Sequence, residues 1–229
     1  MKIIISRYNE NIGWTQQFSN VLIYNKGVKL GRYNEIMLHN VGREGHTYYK
    51  YIYDNYDNLE DYTIFLQGNP FDHSPNIIQN LNNYIMNYNN KNLNIDFEFL
   101  SESIIHCNLS GCTHHNLPLI NVYEYLFGER KESMDFIFGA GAQFIVSKKQ
   151  IKNNPKDFYL KIINMLEKDI NPIEGYIIER FHKLIFQGKN QTKIIINCLD
   201  NNSQIITRDS IVEFNRNFYS YFTLDVVDI

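Results

Sequence analysis

Cysteine and proline are scarce in this chain, and positive charge is not in excess. Among 229 residues there are three cysteines and five prolines, and 22 Lys and Arg stand against 25 Asp and Glu, a formal charge of −3. Cys107, Cys112 and Cys198 are odd in number and too few for a disulfide framework, which agrees with a reducing compartment and with free thiols. The charge supplies no basic field for nucleic acid, and no run of roughly 18 apolar residues is present to span a bilayer. The opening "MKIIISRYNE" has an apolar run too short for a secretory core and no small-residue cleavage site, so the expected location is the cytoplasm, or the host cytoplasm for a viral chain. The acceptor-like Asn108, Asn190 and Asn201 are then expected to carry no glycan. Asn-rich patches such as "NYNNKNLN" match the coding bias of an AT-rich genome and carry no functional weight.

What is abundant is apolar and aromatic: 44% hydrophobic and 14% aromatic residues, enough for one large core. "KIIIS" and "VLIY" are β-branched runs, and "NIGWTQQFS" between them reads as a helix with Trp14 and Phe18 on one face. The first run is apolar at every position, as a parallel strand covered on both sides requires. Tyr48, Tyr49, Ile52, Tyr53 and Tyr56 repeat with helical spacing between residues 44 and 56. "YTIFL" predicts a third strand, residues 75–89 a helix with proline in its first turn, and "IDFEFL" a fourth strand. Residues 101–133 are irregular apart from a helix in "LPLINVYEYLFG". "DFIFGAGAQFIVSKKQI" reads as strand, glycine turn, strand and helix start. Helices are expected over 157–168 and 173–187, the second leaving Glu179 and His182 three apart on one face. "TKIIINCL", "SQIITRD" and "YSYFTLDVV" predict a hairpin and a further strand. The alternation implies a mostly parallel sheet with helices on both sides, formed by residues 1–188, with residues 189–229 as a β extension packed on the same domain.

In open parallel sheets ligands bind beyond the carboxyl ends of the strands. Three strands would end there in polar loops: Arg7, Tyr8, Asn9 and Glu10; Tyr24, Asn25, Lys26 and Gly27; and Gln67, Gly68, Asn69, Asp72 and His73. Each loop alone is explained by turn chemistry, since turns favour Asn, Asp and Gly. Their agreement on one rim favours a ligand site. In "NVGREGHTYY", Gly42 and Gly45 flank Arg43 and Glu44 before a helix, where backbone N–H groups and the helix dipole favour an anion. The bland alternative is an ordinary cap, with Asn40 and Glu44 closing the helix start.

"RYNE" after a first apolar strand resembles the loop that opens many GT-A glycosyltransferases. Taken with "YNKG", "NVGREGHTYYKYI", "FLQGNPFDH" and "GYIIERFHKLIF", it resembles a family of small GT-A-like glycosyltransferases of large DNA viruses, fungi and bacteria, over roughly residues 1 to 187. The resemblance implies an α/β, GT-A-like (Rossmann-like) fold and transfer of a sugar, with inversion, from a UDP-, GDP- or dTDP-linked donor. The implied acceptor is a glycan or glycoprotein such as a viral capsid or fibre protein. It implies donor contacts from Arg7, Tyr8, Asn9, Glu10, Lys26, Asn40, Gly42, Arg43, Gln67, Gly68 and Asn69. Gly139, Gly141 and His182 would line the acceptor side, and Glu179, with Glu174 second, would supply the catalytic carboxylate.

Gln67 and Asn69 stand where that fold places the two carboxylates of its DxD motif. Neutral amides are poor ligands for Mg²⁺ or Mn²⁺, so Asp72 and His73 become the candidate metal ligands. Without a metal, Arg43, Lys26 or Arg7 would offset diphosphate charge. Glu179 could instead be ion-paired to Arg180, Lys183, Arg32 or Arg43, and His182 could be a satisfied helix histidine. "IHCNLSGCTHH" offers His106, Cys107, Cys112, His114 and His115 as zinc ligands, though without the second distant pair of structural sites. Two other functions compete with transfer: a sugar-nucleotide-binding module that has lost turnover, and a zinc-stabilised interaction protein.

Overall fold

The structure is a computed structural model that describes residues 1–113 and 116–187. The C-terminal extension, His114 and His115 lie outside the described residues. Eight strands and six α-helices follow in the order β1 (Lys2–Arg7), β2 (Val21–Asn25), β3 (Glu35–Met37), α1 (Arg43–Asp54), β4 (Tyr62–Gln67), α2 (Ile77–Asn89), β5 (Phe97–Phe99), β6 (Ile104–Asn108), α3 (Leu119–Phe127), β7 (Asp135–Gly139), β8 (Phe144–Ser147), α4 (Lys148–Ile151), α5 (Lys156–Leu166) and α6 (Ile173–Gln187). The main sheet has six strands in the order β3-β2-β1-β4-β8-β5. β1, β2, β3 and β4 run parallel, and β8 is antiparallel to both β4 and β5.

Period-two alternation assigns the two faces of this sheet. Ile3, Ile5, Ile23, Ile64, Leu66 and Ile145 join Ile12, Phe18 and the α2 residues Ile77 and Leu81 in one core. On the opposite face Phe65 and Phe144 meet Tyr48 of α1 at ring-centroid distances of 5.0 and 5.8 Å. Tyr24 and Phe65 meet Tyr51 edge-on. The fully apolar pattern of β1 follows, since a strand sandwiched between helix layers has no wet face.

Several local expectations change. "NIGWTQQFS" makes only a 3-10 turn, Gly13–Gln17, in which the Thr15 hydroxyl donates to the Ile12 carbonyl. β7 and β8 do not pair with each other. β7 pairs antiparallel with β6, a strand that the irregular composition of residues 101–133 conceals, in a separate two-stranded sheet. Cys107 and Cys112 are joined in a disulfide, so the expectation of free thiols is corrected, and bonded sulfurs are not thiolates for zinc. His106 is exposed on β6.

The strand order reverses between β1 and β4: the chain moves outward through β2 and β3, then crosses back by α1 to the other side of β1. Such a reversal opens a crevice beyond the carboxyl ends of the two central strands. Ser6 and Gln67 are register partners at that end, both on the α1 face, and Ser6 Oγ donates to Thr47 Oγ1 of α1 at 2.9 Å.

Candidate functional site

The rim at the ends of β1 and β2 is held from within by Arg7. Its buried guanidinium donates to the carbonyls of Glu10, Tyr8 and Val28 and to Asn25 Oδ1, at 2.8–3.0 Å. Asn25, fully buried, in turn donates to Glu35 Oε2 and to the Val28 carbonyl. A β-carbon at Gly27 would lie 1.6 Å from the Tyr8 carbonyl oxygen, so only glycine lets the two loops touch. Asn9 Oδ1 accepts from the Val28 N–H, and Glu10 Oε2 from the Tyr8 N–H at 2.7 Å. Gly68 is pressed against the Glu10 carboxylate, and its carbonyl accepts from Trp14 Nε1. The Tyr8 ring is left 51% exposed on this built edge. Arg7, expected to face a donor, organises the loops that would.

Lys26 is buried as well, its ammonium donating to the carbonyls of Val41 (2.6 Å) and Arg43. Burial lowers its pKa to about 8 despite the nearby Glu44. The turn before α1 is engaged from the other side too: the N–H groups of Gly42 and Arg43 donate to the carbonyls of Asp169 and Ile170. Those two amides, expected to be open to a phosphate, are already bonded within the chain. Asn40 is half-buried just upstream.

A second group of side chains converges beside this rim. Glu44, in the first turn of α1, accepts from Gln67 Nε2 at 2.6 Å, and its other oxygen lies 3.5 Å from Arg43 Nε. From α6, Glu179 accepts the Gly141 backbone N–H at 2.8 Å and lies 4.0 Å from Arg180 Nη1. Its side chain is 15% exposed. Burial and then the charge of Glu44 raise the Glu179 pKa, against the opposing pull of the Gly141 N–H, Arg43 and Arg180. Arg43 joins the two helices, its guanidinium 4.2 Å from the centre of the Tyr176 ring and its stem packed against Gly175.

Backbone strain marks both sides of this group. Arg43 (φ 51°) and Ala142 (φ 54°) are two of the four non-glycine residues with positive φ among the described residues. Left-handed backbone costs an L-residue about 1–2 kcal/mol, and such outliers cluster where a site needs an unusual geometry. Gly141, at φ 83°, sits so close to His73 that a β-carbon would come within 2.5 Å of its ring.

Other candidates fall elsewhere. His182 is only 1% exposed; its Nδ1 is 2.7 Å from Tyr49 Oη and its ring lies among Tyr48, Tyr49 and Phe144. Burial lowers its pKa to about 3, and its Nε2 is buried without a hydrogen-bond partner among the described residues, so His182 sits in the core, where it does not line an open acceptor surface. Glu174 precedes Glu179 by five positions, about 140° away around the helix. Gly139 packs against the Phe99 ring. Asp72 is exposed and accepts from Asn69 Nδ2 at 3.4 Å, while His73 turns toward Gly141. Among the described residues no three His, Cys, Asp or Glu side chains gather as a ligand set, so Asp72 and His73 have no third such side chain beside them. Glu44 is a residue that sequence reading passed over, because it resembled a cap.

No helix among the described residues is long and apolar enough to cross a membrane. No curated protein and no solved structure matches the chain. A family model does match, over residues 3–201, and the chain belongs to that family, described as protein of unknown function (DUF3431).

Proposed function

We propose that this protein is a glycosyltransferase that moves a sugar, with inversion, from a nucleotide-linked donor to a hydroxyl of a glycan or glycoprotein, with Glu179 as general base. The observation that carries the reading is the Glu179 carboxylate itself. It is nearly buried, raised in pKa, and tied to the N–H of Gly141, which packs against His73 of the loop that follows β4. A base in such surroundings binds a proton more readily than a solvated carboxylate, which is what removal of an alcohol proton during attack requires.

In this reading the acceptor O–H proton goes to Glu179 as the acceptor oxygen bonds to the anomeric carbon. The bond from that carbon to the diphosphate breaks, and its electron pair leaves with the diphosphate. Arg43, held between Glu44 and Tyr176, supplies fixed positive charge for the leaving group. Tyr8, Asn9 and Glu10 form the exposed edge on which the donor would lie. A UDP-, GDP- or dTDP-linked donor and a capsid- or fibre-type glycoprotein acceptor belong to this proposal as expectations of the resemblance.

A second reading, a binding module without turnover, draws on Gln67, whose neutral amide stands at the end of β4 bonded to Glu44. Thermal unfolding against nucleotides and nucleotide sugars, with and without Mn²⁺, followed by transfer and donor-hydrolysis assays, tests both. A ligand that binds only the folded state raises the midpoint. Midpoint shift with turnover supports the transferase; shift without turnover supports the module; no shift with any nucleotide compound overturns both.

A further inference from the structure

The residue next to the proposed base is an arginine held away from it. Arg180 follows Glu179 on α6 and is 1% exposed. Its Nη1 stands 4.0 Å from Glu179 Oε2, about 1 Å beyond the roughly 2.7–2.9 Å of a charge-assisted hydrogen bond. The guanidinium is engaged in other directions instead. Nη1 donates to the Tyr176 carbonyl at 2.6 Å, Nη2 donates to Thr113 Oγ1 at 3.2 Å, and the group lies over the Phe138 ring at 4.7 Å. An arginine keeps its proton, and away from water the attraction of so close a carboxylate is strong. The contacts to Thr113 and Tyr176 hold the remaining gap open.

Thr113 is fixed by the small sheet. β6 ends at Asn108, and the Cys107–Cys112 bridge closes the loop that follows, one residue before Thr113. Phe138, beneath the guanidinium, lies on β7, and Phe136, the register partner of Cys107, packs edge-on against Phe181 of α6. The two-stranded sheet and its bridged loop thus grip α6 at the turn that carries Glu179 and Arg180.

We propose that Thr113 and Arg180 are positioning residues for Glu179: the bridged loop, through Thr113, holds the Arg180 guanidinium off the carboxylate, and opening the Cys107–Cys112 bridge lets it close on Glu179 and silence the base. This rests on Glu179 as the base. The reductant is a dithiol, whose thiolate attacks a bridge sulfur; Cys112 is half-buried and Cys107 buried. The S–S bond breaks, a mixed disulfide forms, and the reductant's second sulfur displaces it. Cys107 and Cys112 gain two electrons and two protons, and the dithiol leaves as its own disulfide. Thr113 then loses its anchor, and the guanidinium moves to the nearest anion. A carboxylate hydrogen-bonded to arginine is a weak base, so removal of the acceptor proton slows.

Other charges face the same pair. Glu44 and Arg43 of α1 act on Glu179, Tyr176 of α6 acts on Arg180, and His73 lies against the Gly141 turn. None of them lies on the bridged loop, so changes confined to that loop isolate Arg180.

The test uses the full chain. Carboxyl-carbon NMR titration, with Glu179→Gln to assign the signal, follows Glu179 without any substrate. Thr113 is exposed, so Thr113→Val leaves the core intact. In that variant Glu179 is expected to titrate about one pH unit lower than in wild type, and Thr113→Ser, which keeps the hydroxyl, restores the wild-type value. Arg180→Gln raises it, and Thr113→Val adds nothing in that background, a coupling that a merely structural role for Thr113 would not produce. Wild type treated with dithiothreitol, its bridge shown open by thiol titration, follows Thr113→Val. With a working donor and acceptor, kcat falls about tenfold in Thr113→Val and in the reduced chain. An unmoved or raised titration in Thr113→Val overturns the proposal, and an unmoved one in the reduced chain overturns the redox control. A lowered titration with no transfer from any nucleotide sugar upholds the positioning role and counts against the transferase, so the two ideas fail separately. Should Arg180→Gln not fold, Arg180→Lys serves instead: an ammonium has no second nitrogen for Thr113, so Thr113→Val again adds nothing.

Discussion

The backbone N–H of Gly141 reaches Glu179 Oε1 at 2.8 Å, joining the turn between β7 and β8 to the middle of α6. The turn is not part of a hairpin. It links a strand of the small sheet to a strand of the main one, and this leaves its amide available to a side chain instead of a ladder partner. A carboxylate held by one backbone donor keeps its ionised form accessible while burial keeps it basic.

Glu179→Gln keeps the shape and the Gly141 contact but cannot accept a proton. Turnover is expected to fall by about 10²–10⁴, the usual contribution of a general base, with donor affinity unchanged. Steady-state kinetics together with calorimetric donor binding measure both terms. Wild-type turnover in this variant would remove Glu179 from the mechanism and make Glu174 the next residue to test.

Gly141→Ala places a β-carbon within 2.5 Å of the His73 ring at a φ of 83°. Left-handed backbone and displacement of the ring together are expected to cost about 2 kcal/mol of stability, and turnover should fall with it because the Glu179 donor moves. Chemical denaturation gives the first number. A variant as stable and active as wild type would mean that the turn adapts freely.

His46 and His182 are both buried, and burial lowers their pKa values to about 4 and about 3, against about 6.5 in an unfolded chain. Below pH 6.5 the unfolded state therefore binds protons that the folded state refuses, so stability is lost as pH falls through that value toward 4 and then 3. Urea midpoints between pH 7.5 and 5.5, above the range of most carboxylates, should decline in wild type and decline less in His182→Gln. Equal slopes would show that His182 does not contribute.

The Cys107–Cys112 bridge closes a loop with a sequence separation of five. Loop-closure entropy for so short a ring gives about 2 kcal/mol, which a Cys107→Ser, Cys112→Ser double variant should lose. Thiol titration of the unfolded, unreduced chain should then find one free cysteine in wild type, Cys198, and three after reduction. Three before reduction would show the bridge to be absent.

The main sheet was legible because its signals are local. Apolar runs at β1, β2 and β4, helical spacing of tyrosines in α1 and the periodicity of α6 each lie within a short window. β6 was hidden because its residues, "IIHCN", owe their strand to a partner, β7, that periodicity cannot name. Asp72 and His73 are read as ligands because they are adjacent in sequence; in the fold Asp72 meets Asn69 and His73 meets Gly141. The converse holds for Gly141 and Glu179, which are 38 residues apart in sequence and joined by a hydrogen bond that no short window shows. Gln67 was read as a substitute for a carboxylate; its amide instead secures one carried by a different element.

The contact between Tyr49 and His182 spans 133 residues, and it lies beneath the same two helices that carry Glu44 and Glu179. Contacts of such range form only after the intervening chain has collapsed. During synthesis β1, β2, α1 and β4 emerge long before α6, so a growing chain displays the rim without Glu179. The candidate site comes into being only with α6, and no amino-terminal fragment that stops short of that helix can possess it.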